Sequence, residues 1–597
     1  MTKRLITFFR LSPAYQRDWR RTAAGACLAS TTFLVACVST PMPAWVPTGL
    51  TTATASGSSP QSATRAAPES VQTFPVAPRP SLSPNPAPVG TPEAGAALTS
   101  SDNQAVAARF PAPSVVYSTP GLQPGRSSFT TAAESSAWLN SQVAQARATG
   151  GAAAAVIPVG RSQRGQQLEA LVLGQSGGTD PVSLVGNGRP TVLLLGQNSP
   201  EEPAATEALL VMARELTQGL LRPMLDRINV IVVPFANPDT AQGPAANRDH
   251  LVLSAGETQA VATLMRDYRP AVVVEVREYE AGITPDRFTA KFGAVQKFDL
   301  LFQYATTQNT PELLTRASEE WFRRPLIADL KSQRLSVEWA YTNAPDLDDR
   351  KLAMGSPQPT SIDNVSALKN SLGLVVKSRG AGLGRLNIQR RVHTQVTALS
   401  SLLTSATQRA ADLVQVRAYF DKEVSALACT GEAVVQAGSV AAQYDLQVLD
   451  PVSGADKVIN VDWDSSLALN RLSVRSRPCG YWLSGYARPA VERLLMHGVK
   501  VLRLTESGAV LADTFTSASG NQPSGEKTAG TVRLSRGLLD VPRGSFYVPL
   551  NQPMANLVIA ALEPDTPFSF TTQRLVPDLQ ASARVMALPV MRFEDLP

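Results

Sequence analysis

The stretch Thr191-Val-Leu-Leu-Leu-Gly196, followed by Gln197-Asn198-Ser199-Pro200-Glu201-Glu202-Pro203, decides the reading of this chain. A short apolar run closed by glycine reads as a buried strand. Pro203 suits the first turn of a helix, and Leu209, Leu210, Met212, Ala213 and Leu216 then share one face of the segment from Ala204 to Gly219. A strand feeding a helix in this way is a unit of a parallel sheet, and such sheets bind ligands at the carboxyl ends of their strands. Ser199 and Glu202 stand at one of these ends.

Outward from this unit the pattern repeats. Leu168–Gly174, Asn229–Pro234, Ala271–Val276 and Leu372–Val376 are further apolar runs. Between and after them, Ser254-Ala-Gly-Glu257 reads as a capping box opening a helix to Tyr268, and a helix is expected from Gln389 to Asp412. The expected fold is α/β, with a mostly parallel or mixed sheet covered by helices on both faces. Beyond residue 425 the runs 434–449, 458–463, 499–504, 531–538 and 545–550 read as strands between polar turns. They predict a C-terminal, mainly β domain, read as a small sandwich. Three strand ends carry chemistry: Ser199 with Glu202, Glu275-Val-Arg277-Glu278-Tyr279, and Lys377-Ser378-Arg379. A fourth segment, Asn247-Arg248-Asp249-His250, precedes the helix at Ser254.

The length of 597 residues allows two or three domains. Of the formal net charge of +6, the first 36 residues supply +5, from Lys3, Arg4, Arg10, Arg17, Arg20 and Arg21 against Asp18. The rest of the chain is nearly neutral and gives no basic patch for nucleic acid. That basic stretch and the mildly apolar run Thr22–Ala36 read as an export signal too short for a permanent membrane span. It ends Leu34-Val35-Ala36-Cys37, which resembles the lipobox of bacterial lipoproteins. That resemblance implies lipidation at Cys37, a membrane partner through the lipid, and residence at the outer membrane facing the periplasm. Residues 37–108, rich in Pro, Ser and Ala, cannot bury enough apolar surface to order themselves and read as a tether. The expected division is a signal peptide at 1–36, the tether at 37–108, an α/β domain at 109–422 and the β domain at 423–597. In an exported chain Cys429 and Cys479 read either as a disulfide or as two separate thiols.

Taken in order, Arg189–Gln197, Glu202–Leu210, Ile228–Pro234, Ala236–Asp239, Asn247–His250, Tyr268–Val274 and Arg379–Gly384 resemble the zinc carboxypeptidase family, the carboxypeptidase A-like metallopeptidases. The resemblance covers roughly residues 150–410. It implies a zinc held by a His-x-x-Glu motif and one later histidine, a metal-activated water and a glutamate as general base. It also implies an Asn-Arg pair that binds the C-terminal carboxylate of a peptide.

Carried over by position, Ser199 stands for the first zinc histidine, Glu202 for the zinc glutamate, Arg277 for the later histidine and Lys377 for the general base. Asn247 and Arg248 keep the carboxylate-binding pair, while the segment before them, from Asp239, looks shortened. The three histidines, His250, His393 and His497, fall at none of the ligand positions. One carboxylate cannot hold a catalytic zinc, so no cofactor is expected. Glu201, Glu275 and Glu278 remain as oxygens for a hard cation, without supporting spacing. Arg277, Lys377 or both are expected to pair with Glu202 in the metal's electrostatic role, because a buried carboxylate without a partner is costly. The expectation is a pseudoenzyme that binds peptides or other anionic termini, such as cell-wall peptide ends. The alternative is an active metallocarboxypeptidase with an unconventional site.

Overall fold

The computed structural model describes residues 104–149, 152–175, 177–196, 199, 201–239, 249–280, 294–343, 351–517 and 532–596. The leader, the tether up to 103, Cys37, Asn247 and Arg248 lie outside the described residues.

The central sheet has eight strands: β1 (Ala153–Arg161), β2 (Gln167–Gly174), β3 (Thr191–Leu195), β4 (Asn229–Val233), β5 (Val272–Glu280), β7 (Leu300–Tyr304), β8 (Val337–Trp339) and β11 (Leu372–Ala381). Their order is β1-β2-β4-β3-β5-β11-β7-β8. The inner four, β4, β3, β5 and β11, run parallel, while β2 and β7 flank them antiparallel. The sheet is therefore mixed.

Strand periodicity sorts the valines and leucines between two cores. Val192, Leu194, Val230, Val232, Val272, Val274 and Val276 pack with helices α1 (Ala132–Ala148), α2 (Pro203–Thr217) and α5 (Ile388–Gln408). Leu193, Leu195, Ile231, Val233 and Val273 face Val261, Leu264 and Met265 of helix α3 (Gly256–Tyr268) and Ile362 of helix α4 (Ile362–Leu368). Helices thus cover both faces, as the apolar runs of the central strands require.

Some local readings change. Helix α3 is capped from outside the expected box: Asp249 Oδ2 accepts from the Ala255 amide at 2.8 Å and from Thr258 Oγ1 at 3.0 Å. Ser254 is not the N-cap; Ala255 is, and it lends no side-chain bond. The helix expected from Gln389 to Asp412 is two helices, α5 and α6 (Ala410–Ala426), which meet at Arg409.

The C-terminal region is sheet-rich. A hairpin of β12 (Glu432–Leu449) and β13 (Asp456–Ser476) forms a five-stranded sheet with β6 (Val295–Gln296), β9 (Tyr341–Asn343) and β10 (Lys351–Met354), which come from before residue 423. The remaining strands are β14 (Gly480–Leu483), β15 (Leu502–Leu504), β16 (Gly508–Ser517), β17 (Val532–Val541), β18 (Phe546–Pro549), β19 (Ser582–Val585) and β20 (Phe593–Asp595). They make a seven-stranded sheet in the order β17-β16-β19-β14-β18-β15-β20. Its Tyr481, Leu483, Phe546 and Val548 pack against helices α7 (Arg488–Met496) and α8 (Ala555–Leu562). A helical layer, rather than the second sheet of a sandwich, therefore covers this face. Cys429 and Cys479 form a disulfide with a Cα–Cα distance of 4.1 Å, tying the end of α6 to the start of β14.

Candidate functional site

The carboxyl ends of β3, β5 and β11 bring the carried-over positions together on the face of the sheet that α3 and α4 cover. Parallel pairing sets Lys377 of β11 directly beside Arg277 of β5. Glu202, at the mouth of β3 and the N-cap of α2, makes no capping bond of its own. Its carboxylate instead accepts from Arg277, with Nη2 at 2.8 Å from Oε1 and Nε at 3.2 Å from each oxygen. The Glu202 side chain is 5% exposed and that of Arg277 16%. Arg277 Nη1 also lies 3.6 Å from Glu275 Oε1. Ser199 is half-buried, and its Oγ accepts a long bond from the Glu201 amide at 3.4 Å.

Two further groups complete this cluster. Lys377 acts electrostatically on Glu202, Glu275 and Asp363. Asp363, at the start of α4, is buried with Oδ1 unpartnered. Sequence reading missed Asp363, because nothing in its local pattern separates it from an ordinary first-turn aspartate of a helix.

Burial lifts the carboxyls of Glu202, Glu275 and Asp363 above the usual range, and nearby Arg277 or Lys377 only partly opposes this. Burial and the like charge of Arg277 pull Lys377 down. For Arg277 burial opposes the charge, but Glu202 and Glu275 outweigh it and the pKa rises. Burial, with Arg277 adding, lowers His250 to about 4, so this histidine is neutral at pH 7. Among the described residues, three carboxyl groups thus gather with two basic side chains.

On the opposite face of the same strand end, Glu278 is paired with Arg391 of α5, Oε1 to Nε at 2.7 Å and Oε2 to Nη2 at 2.9 Å. Glu278 Oε2 also accepts the Ala204 amide at 2.9 Å, meeting one orphan donor of the α2 N-terminus. Gly380 makes room for this pair, since a Cβ there would collide with both Glu278 and Arg391. The glycine run 380–384 therefore serves close packing as well as a turn, with φ +79° at Gly382 and +52° at Gly384.

Zinc does not fit the residues at these positions. Glu202 is the one carboxylate of the carried-over set, and both its oxygens are taken by a guanidinium. The alternative oxygens do not converge either, because Glu278 is engaged across the sheet from Glu275 and Glu201 is exposed. Among the described residues no group of three His, Cys, Asp or Glu could hold a metal ion. The other two histidines are engaged in hydrogen bonds: His393 Nδ1 meets Tyr117 Oη at 2.8 Å, and His497 Nε2 meets the Leu251 carbonyl at 2.8 Å.

No family model matches the chain. It is 23% identical over 438 residues to carboxypeptidase 2 of Trichophyton rubrum, covering 70% of this chain and 79% of that protein. With carboxypeptidase 2 of Trichophyton equinum it shares 23% over 407 residues, 65% of this chain and 74% of the relative. Among solved structures, the metallo-carboxypeptidase of Burkholderia cenocepacia is 13% identical with a TM-score of 0.34, covering 47% of this chain and 70% of that one. Carboxypeptidase A from Helicoverpa armigera is 11% identical with a TM-score of 0.34, over 51% and 80%.

Proposed function

For this carboxypeptidase-like chain of the zinc metallocarboxypeptidase kind, we propose a non-hydrolytic role: a pseudoenzyme in which two monocations, Arg277 and Lys377, stand where the family keeps a dication and its base. The observation that carries the reading is the Arg277 guanidinium seated on Glu202, the one zinc ligand of the family left in place. A metal would have to displace a buried, bidentate ion pair and would gain a single protein ligand in exchange.

In this reading the protein is exported, lipidated at Cys37 and held at the outer membrane, facing the periplasm. It binds peptides, including cell-wall peptide ends, by their C-terminal carboxylate through Asn247 and Arg248. The sequence supports both points, through the Leu34–Cys37 motif and the retained Asn-Arg pair. No helix among the described residues is long and apolar enough to cross a membrane. Among the described residues the strand-end cluster holds more carboxyl groups than cations, which favours Arg248 over Lys377 as the anion's partner.

The purified mature protein is expected to contain less than one-tenth of a zinc per chain and to release no C-terminal residue from N-acylated peptides. Stoichiometric zinc with turnover would overturn the proposal and establish the second reading, an active carboxypeptidase, which the names of the relatives favour. Fatty-acid labelling that persists in Cys37→Ser would overturn the anchor.

A further inference from the structure

Away from the strand ends, the junction of α4 with the C-terminal region buries an amine that has nothing to bond. Lys369, which follows α4, is 3% exposed, and its Nζ has no hydrogen-bond partner. Lys369 directly follows Leu368, which shares one apolar core with Leu251, Val365, Val491, Leu494, Val499 and Leu557. The charges that act on Lys369 are cations, Arg417 from α6 and Arg266 from α3.

The nearby carboxylates are committed elsewhere. Asp267 pairs with Arg266 at 2.7 Å, and Asp421 takes Arg269 and Asn370 Nδ2, each at 2.9 Å. Arg417 Nη1 donates to the carbonyls of Arg269 and Pro270 and to Ser371 Oγ, while its Nε is buried without a partner. His497, also close to Lys369, faces the Leu251 carbonyl through Nε2. A carbonyl only accepts, so Nε2 carries the proton and the unpartnered Nδ1 is an acceptor.

Discharging Lys369 would not resolve this arrangement. An arginine keeps its proton in proteins, so Arg417 Nε would remain an orphan donor in any case. Among the described residues, four cations, Lys369, Arg266, Arg269 and Arg417, meet two carboxylates here, Asp267 and Asp421, and two buried donors are left without an acceptor.

We propose that this junction is a binding site for a small monovalent anion of the chloride class, held by Lys369 Nζ and Arg417 Nε. The anion would satisfy two buried donors and offset the repulsion among the three cations. Binding couples to the Lys369 proton. Burial, and then Arg417 and Arg266, lower this lysine to about 7, so the anion is held more tightly as the pH falls through that value. His497, lowered to about 3 by burial and Lys369, and His250, lowered to about 4, stay neutral from pH 5 to 8 and do not add to the response. Burial lowers Arg417 to about 10, so it keeps its charge over the same range.

The test is thermal unfolding of the mature protein at pH 6, in chloride against gluconate at matched ionic strength. Each tenfold rise in chloride above its dissociation constant is expected to raise Tm by about 2 °C. Lys369→Met should abolish the dependence. Crystals grown at pH 6 in bromide should show anomalous density within about 3.5 Å of Lys369 Nζ. If Lys369→Met fails to fold, the two wild-type measurements decide alone. A Tm indifferent to the choice of anion, or a map without bromide at Lys369, would overturn the proposal.

Discussion

The strand-end cluster and the ion network beside the C-terminal sheet both bury arginines against carboxylates, yet they are finished to different degrees. In the C-terminal network Glu563 accepts from Arg584 Nε at 2.8 Å, Tyr481 Oη at 2.6 Å and Arg475 Nη1 at 2.6 Å. Asp565 takes both Arg475 nitrogens, at 2.6 and 2.8 Å. Asp513 is shared between Arg536 at 2.7 Å and Arg584 at 3.3 Å. Three arginines meet three carboxylates. At the strand ends, by contrast, three carboxylates face two cations, Asp363 Oδ1 has no partner, and Lys377 acts on its carboxylates without a contact ion pair among the described residues. A network that only stabilises can close every valence. At the strand ends, among the described residues, Asp363 Oδ1 leaves one such valence open.

The largest effect should come from breaking the closed network. Arg584, 1% exposed, bridges Glu563 and Asp513, so Arg584→Met leaves two buried carboxylates short of a partner, Glu563 keeping Arg475 and Tyr481 and Asp513 keeping Arg536. A loss of about 3–5 kcal/mol is expected in denaturant unfolding. A loss below about 1 kcal/mol would mean that this network is no more structural than the other.

Arg277→Met should cost about 3 kcal/mol, because Glu202 is left buried and unpaired. Adding Glu202→Gln should recover more than half of that. A double-mutant cycle without coupling would break the pairing argument.

Asp363 gives a pH test with a definite sign. Its folded-state pKa is raised by burial, so its contribution to stability is present below the ordinary aspartate range and is lost as the pH rises through the folded value. Asp363→Asn is therefore expected to stabilise by about 1 kcal/mol at pH 8, with the gain shrinking toward pH 4. A gain that grows on acidification would reverse the assignment.

The smallest effect is the sharpest comparison. Lys377 is pulled down by burial, so its charging cost is present at neutral pH and fades as the pH rises toward the usual lysine value. Lys377→Met should stabilise by less than about 1 kcal/mol at pH 7 and change nothing near pH 10. Two cations side by side in register thus give opposite signs on replacement. Equal losses at both would show that Lys377 too has a committed partner.

Much of the central sheet was legible because buried strands are written as apolar runs. The runs 191–196, 229–234, 271–276 and 372–376 became the four inner parallel strands, extended at their C-terminal ends in β5 and β11 by the polar residues that form the site. The hairpin was less legible: β13 runs to Ser476, far past the expected end at Trp463, because Asp464 to Ser476 has little apolar periodicity and is ordered by pairing with β12. The sheet made from β6, β9, β10 and the hairpin had no local signature at all, since its strands are two to four residues long outside the hairpin.

The sequence alone was enough to read Ser199, Arg277 and Lys377, by resemblance, at the positions of two metal ligands and a base, because such a reading depends on residue type at a given place along the chain. It also determined that these positions fall at strand ends, through the period of the apolar residues. Only the tertiary structure decided which cation takes Glu202, that Glu278 belongs to Arg391 across the sheet, and that Asp363 joins the cluster. Those outcomes depend on strand register and on which face a helix covers. Register is set by backbone pairing and packing between segments about 75 to 113 residues apart, which no local pattern encodes.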